Sequence, residues 1–300
     1  MYTKLLVPLD GSDVSEKVLP FARWLAETLN LAVEFLEVVD ISAASLHIAA
    51  DKARYLDALI SAGERASKKH LRDIAGQFSG MKVSCTVTRG SPAEAIIHRA
   101  AADNGTLIAM ATHGRSGINR WLLGSVAEKV LRGSKHPLFL VRAAGAGMSH
   151  SAATIKSLVV PLDGSKLAES VLPTVVEVAK KITLEVVLCR AYQSTAPAYY
   201  RSEVHVPDHE AMLRERKAEV EEYLADKVES LKAAGLTQVS AAALAGSGAA
   251  EIVRYSREHP DGLVVMCTRG RSGVSRWALG SVTEKVVRHA TAPVLVLHPT

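Results

Sequence analysis

A chain of 300 residues with 48% hydrophobic content can bury two ordinary cores, since single domains cluster near about 100 to 150 residues. Its 36 basic and 31 acidic residues leave a net charge of +5 without a dense Lys/Arg block, which disfavours nucleic acid and anionic membrane surfaces as partners. Cys85, Cys189 and Cys267 are scattered and lack C-x-x-C spacing, so small buried thiols in a reducing compartment are expected instead of disulfides or a zinc site; no apolar run approaches the ~20 residues of a membrane span, and a soluble, cytosolic protein follows.

The first apolar run, residues 4–9, ends in Pro-Leu-Asp-Gly-Ser and is followed by helical spacing over residues 14–30. Further strands are predicted at 32–39, 82–88, 107–112 and 138–142, with helices at 51–78, 92–104 and 126–132 between them. Val, Ile and Leu fill the strands almost continuously, the pattern of a parallel sheet buried on both faces. Residues 143–153, Ala-Ala-Gly-Ala-Gly-Met-Ser-His-Ser-Ala-Ala, read as a flexible linker. The order then starts again. Pro-Leu-Asp-Gly-Ser recurs 153 residues on, from Pro161 to Ser165, and the glycine loop that starts at Thr112 recurs at Thr268. In the second copy Leu213, Val220, Leu224, Val228 and Leu231 share one face of a helix over 208–234 whose other face is charged. Two βαβ repeats in tandem, residues 1–143 and 156–300 about a linker at 144–155, imply two doubly wound parallel five-stranded sheets of Rossmann or flavodoxin type. The fifth strand of each is an apolar edge, so the two last strands are expected to pair with each other across a pseudo-two-fold, and a homodimer of the whole chain is a further expectation.

In such sheets ligands gather beyond the carboxyl ends of the strands, where the winding reverses. Asp10 and Asp163 stand just past the first strand of each repeat; either the acid or Ser12 and Ser165 could serve as a helix cap there. The glycine loops lead into helices near Gly124 and Gly280, where glycines admit a bulky anion to the main chain and unpaired N–H groups can hold it. Ser125 with Glu128, and Ser281 with Glu284, also fit a capping box. Arg115, Arg120, Arg271 and Arg276 add positive charge to the loops.

Gly114, nine residues, Gly124 and Ser125, repeated as Gly270, nine residues, Gly280 and Ser281, together with the Asp after the first strand, resemble the ATP-binding pattern of the universal stress protein family. The resemblance spans both repeats and implies the adenine nucleotide alpha hydrolase-like fold, with ATP as ligand, with or without Mg²⁺. Carried over by position, it implies ribose contact by Asp10 and Asp163 beside Pro8 and Pro161, an adenine pocket lined by Val38 and Ala191, and nucleoside contact by Met110 and Met266. It implies phosphate binding by Gly114, Gly124, Ser125 and Val126, and by Gly270, Gly280, Ser281 and Val282. One departure stands out: the first motif glycine is Ala111 in one repeat and Cys267 in the other, and a Cβ there would cost about 1 kcal/mol if the position needed positive φ.

Three functions compete: an ATP-binding stress-response regulator, a nucleotide-free scaffold of the same fold, and an ATP-dependent enzyme. The third lacks its usual marks, because neither S-G-G-x-D-S nor a P-loop occurs. No acid–base pair is evident: His113 becomes Arg269 in the second repeat, and Pro207 between His205 and His209 argues against a metal pair on one helix. Slow ATP hydrolysis is the most that the residues suggest.

Overall fold

The computed structural model describes residues 2–41, 53–112, 123–142, 155–193, 209–268, 270 and 279–299. Residues 144–154 of the expected linker, His113, Gly114, Arg115, Arg120, His205, Pro207, Arg269, Arg271 and Arg276 lie outside them. The chain divides into two compact units, residues 1–154 with 295–298 and residues 155–294 with 299–300.

The first repeat runs β1 (Lys4–Leu9), α1 (Asp13–Glu16), α2 (Leu19–Leu29), β2 (Ala32–Val39), α3 (Ala53–Gly76), β3 (Val83–Arg89), α4 (Pro92–Ala101), β4 (Thr106–Ala111), α5 (Ser125–Gly133) and β5 (Leu138–Val141). Its strands lie in the order β3-β2-β1-β4-β5, and the paired strands are parallel. The second repeat continues with β6 (Ser157–Pro161), α6 (Lys166–Glu169), α7 (Leu172–Ile182), β7 (Glu185–Tyr192), α8 (His209–Ala233), β8 (Val239–Ala245), α9 (Gly248–Glu258), β9 (Gly262–Cys267), α10 (Ser281–His289) and β10 (Val294–Leu297). Strands β9-β6-β7-β8 are neighbours in that order, again parallel where paired. Because β1 lies between β2 and β4, and β6 between β7 and β9, the winding reverses beside the strand that ends in Pro-Leu-Asp-Gly-Ser.

The strand predictions hold to within a residue or so, because runs such as Leu5, Leu6 and Val7 or Leu158, Val159 and Val160 are sealed on both faces of the sheet. The single helix expected over residues 14–30 is two. Pro20 opens α2, and without an N–H it cannot continue the ladder back to Glu16; Pro173 divides α6 from α7 in the same way. Val220, Leu224, Val228 and Leu231 are buried as the helical spacing requires, whereas Leu213 is only half-buried. Cys189 and Cys267 are buried, but Cys85 is exposed, since β3 is the edge of its sheet and covers less of its surface.

One acid is built into the first core. Glu34 on β2, 3% exposed, accepts from Thr86 Oγ1 (2.7 Å) and Arg99 Nε (2.6 Å) and pairs with Lys4 Nζ (3.3 Å). Burial pushes its carboxyl up, and the hydrogen bonds from Thr86 and Arg99 with the charges of Arg99 and Lys4 outweigh that and hold it below 4.5. Replacing Glu34 by Ala strands these donors and is expected to cost roughly 2 to 4 kcal/mol in urea unfolding.

Candidate functional site

The two Pro-Leu-Asp-Gly-Ser segments fold alike. Asp163 Oδ1 accepts from Ser165 N (2.9 Å) and Ser165 Oγ (2.6 Å), and Ser165 Oγ in turn accepts from Ala168 N (3.1 Å) as the N-cap of α6. Asp10 Oδ1 accepts from Ser12 N (3.0 Å) and Ser12 Oγ (2.5 Å), and Ser12 Oγ accepts from Ser15 N (3.2 Å). The serine therefore caps, and the acid orients the serine. Gly164 has φ +85°, a left-handed conformation that a side chain would strain. On its other side Asp163 meets the glycine loop: a Cβ placed on Gly270 would overlap Asp163 Oδ2.

The capping box is not what starts the helices after the loops. Their N-caps are Gly124 and Gly280, which have no side chain, and Ser125 and Ser281 take the first helical position. Gly124 N donates to the Thr112 carbonyl (2.5 Å) and Gly280 N to the Thr268 carbonyl (2.8 Å), so those two amides are already used. The first bonds back to the caps come from Glu128 N and Glu284 N (2.8 and 2.9 Å), which leaves the N–H groups of the three residues after each cap without a partner inside the helix. Thr283 Oγ1 donates to the Cys267 carbonyl (2.9 Å) and pins α10 to the end of β9. Among the described residues the non-glycine positive-φ positions are Asn30 and Thr183, so Ala111 and Cys267, which end β4 and β9, carry their Cβ without backbone strain.

A cavity of about 720 Å³ lies at the carboxyl ends of β6, β7 and β9. All eight residues singled out in the second repeat line it: Pro161, Asp163, Ala191, Met266, Gly270, Gly280, Ser281 and Val282. Cys189 is in its wall too, its thiol pushed up to about 12 by burial and so uncharged. In the first repeat Pro8 is in β1, Asp10 follows it, Val38 is in β2 and Met110 in β4, while Ser125 and Val126 open α5 after Gly124.

Two further clusters escaped the sequence reading. In the second repeat Arg190, also in the cavity wall, lies over the Tyr223 ring (4.5 Å), and Tyr223 Oη donates to Glu169 Oε1 (2.7 Å). Burial, then the bond to Glu169, raises the phenol well above its ordinary 10. In the first repeat Glu37, His70 and Glu16 occupy the corresponding positions, each 153 residues earlier. His70 lies with Nδ1 2.9 Å from Glu37 Oε2 and Nε2 3.0 Å from Glu16 Oε1, and donates to both when protonated, while Ser67 Oγ donates to Glu37 Oε1 (2.7 Å). The available signal was the register between repeats, which sets Glu37 against Arg190 and His70 against Tyr223.

A doubly wound sheet carrying an acidic turn and a glycine-capped helix at its switch point, twice in one chain, defines a tandem α/β protein of the Rossmann-like class. The model of the universal stress protein family matches residues 1–142 and 154–298, and the chain belongs to that family. It is similar to universal stress protein MJ0531 of Methanocaldococcus jannaschii, 31% identical over 142 residues that make up 47% of this chain and 83% of that one. Universal stress protein YxiE of Bacillus subtilis is 28% identical over 148 residues, 47% of this chain and all of that one. The crystal structure of a universal stress protein from Archaeoglobus fulgidus shares the fold over 99% of this chain and 98% of that one, with a TM-score of 0.70 at 24% identity.

His70 makes the first repeat sensitive to pH. Burial alone would push the imidazole down, but its hydrogen bonds to Glu37 and Glu16 and their negative charges outweigh this and hold it above 6.5. A histidine raised by folding stabilises fully below its unfolded value and loses that contribution as pH rises through the folded one. Stability should therefore fall from about pH 6.5 upward, and His70→Phe should flatten that part of the profile, measured as the urea midpoint at successive pH values.

Proposed function

We propose that each repeat, residues 1–143 and 156–300 on either side of the linker at 144–155, binds one ATP, and that occupancy lets the protein act as a stress-response regulator in the cytoplasm and not as an enzyme of rapid turnover. The observation that carries this reading is the cavity of about 720 Å³, which all eight residues of the second repeat's motif line, within the ~300–1,000 Å³ usual for small-molecule sites. In this reading Asp163 accepts from the ribose hydroxyls, and Pro161, Ala191 and Met266 surround the nucleoside. Ser281 and Val282 give N–H groups that have no partner within the helix, with the Ser281 hydroxyl, to the phosphates at the positive end of α10. Gly270 admits the Asp163 carboxylate, which a side chain there would displace, and Gly280 sets the turn. Asp10, Pro8, Val38, Met110, Gly114, Gly124, Ser125 and Val126 take the same roles in the first repeat.

The donors suit a polyphosphate whose Mg²⁺, where present, comes with the nucleotide and neutralises part of its charge. Among the described residues no group of three or more His, Cys, Asp or Glu side chains could hold a metal ion, and no helix is long and apolar enough to cross a membrane. Pairing of the two last strands remains part of the proposal, supported by their apolar sequences, which as open edges would recruit other chains; a homodimer of the whole chain is its extension.

Equilibrium dialysis with labelled ATP is expected to find up to two equivalents bound per chain. Asp163→Ala should remove one of them with the fold intact by circular dichroism. A folded protein that binds none is instead a scaffold.

A further inference from the structure

The cavity of the second repeat has an arginine in its wall. Arg190 lines it, yet among the described residues its guanidinium forms no ion pair and donates no hydrogen bond. It is nevertheless fixed in place. One face lies on the Tyr223 ring at 4.5 Å, and a Cβ built on Gly164 would stand 3.0 to 3.1 Å from Cζ and both terminal nitrogens, so the other face lies against the turn that carries Asp163. Tyr223 is itself held by Glu169, which also pairs with Lys227 at 3.5 Å. A half-buried guanidinium held flat with its N–H edge unused is preorganised for an oxyanion.

Sheet order says where that anion belongs. The amides of α10 follow β9, Asp163 follows β6 and Arg190 is near the end of β7, in the sequence β9-β6-β7. Neighbouring strands are about 4.8 Å apart, so Arg190 lies roughly 10 Å across the sheet from the amides, with Asp163 between them. Resting on the reading that Asp163 takes the ribose and the amides take the 5′-phosphates, the geometry points to Arg190 as a specificity-determining residue. It makes the second repeat prefer nucleotides that carry a phosphoryl group on a ribose hydroxyl. The first repeat has Glu37 at this place, 27 residues after its Asp as Arg190 is after Asp163, and its oxygens, taken by Ser67 and His70, offer that group no donor.

The test is calorimetric titration of the full chain with adenosine 3′,5′-bisphosphate, adenosine 2′,5′-bisphosphate and AMP. At least one bisphosphate is expected to bind one site per chain about ten-fold or more tightly than AMP, the worth of one charge-assisted contact. Arg190→Gln should bring the ratio to about one, and Arg190→Lys should keep part of it. A wild-type ratio near one overturns the proposal whatever the variants do, as does a ratio unchanged in a folded Arg190→Gln. Equal binding of all three leaves the nucleotide reading standing; binding of none removes both.

Discussion

The Asp163 carboxylate fills the space that a side chain at residue 270 would need, and this close approach ties the two halves of the site together. One half is the turn after β6, where Asp163 is anchored through one oxygen to Ser165. The other is the loop between β9 and α10, closed by the bond from Gly280 N to the Thr268 carbonyl. Neither half is unusual alone, since helix caps and glycine turns occur throughout α/β proteins. Parallel order sets β6 beside β9, so both turns open at one end of the sheet, where the first amides of α10 have no partner within the helix.

Much of this was legible in the chain. Strands buried on both faces take apolar residues at most positions, so runs such as Lys4–Leu9 are easy to place, and repetition of the whole pattern gives the tandem organisation. The helix after each first strand was less legible because its amphipathic spacing continues through Pro20 while its hydrogen bonds do not. Ser125 and Ser281 fit a capping box by spacing, but the chain enters each helix one residue earlier, with glycine in the extended cap conformation. That shift frees two serine side chains from capping.

The clusters around His70 and Tyr223 belong to a different order of information. Glu16, Glu37 and His70 come from α1, β2 and α3, and no local pattern connects them. They meet because α3 packs on β2 while α1 follows the turn beside it. The repeats keep this meeting point but exchange its chemistry: an imidazole between two carboxylates in one, an arginine stacked on a phenol in the other. Two copies of one backbone thus carry different charges at equivalent positions, while the turn after the first strand and the glycine-capped helix stay alike.

We propose that main-chain amides at the start of α10 hold the phosphates of a nucleotide. Amide NMR of the ¹⁵N-labelled protein tests it most directly, by following Ser281, Val282 and Thr283 through titrations with ATP and with adenosine. Saturable shifts are expected at these three amides with ATP, and adenosine is expected not to reproduce them. ATP binding that leaves all three unmoved would contradict it.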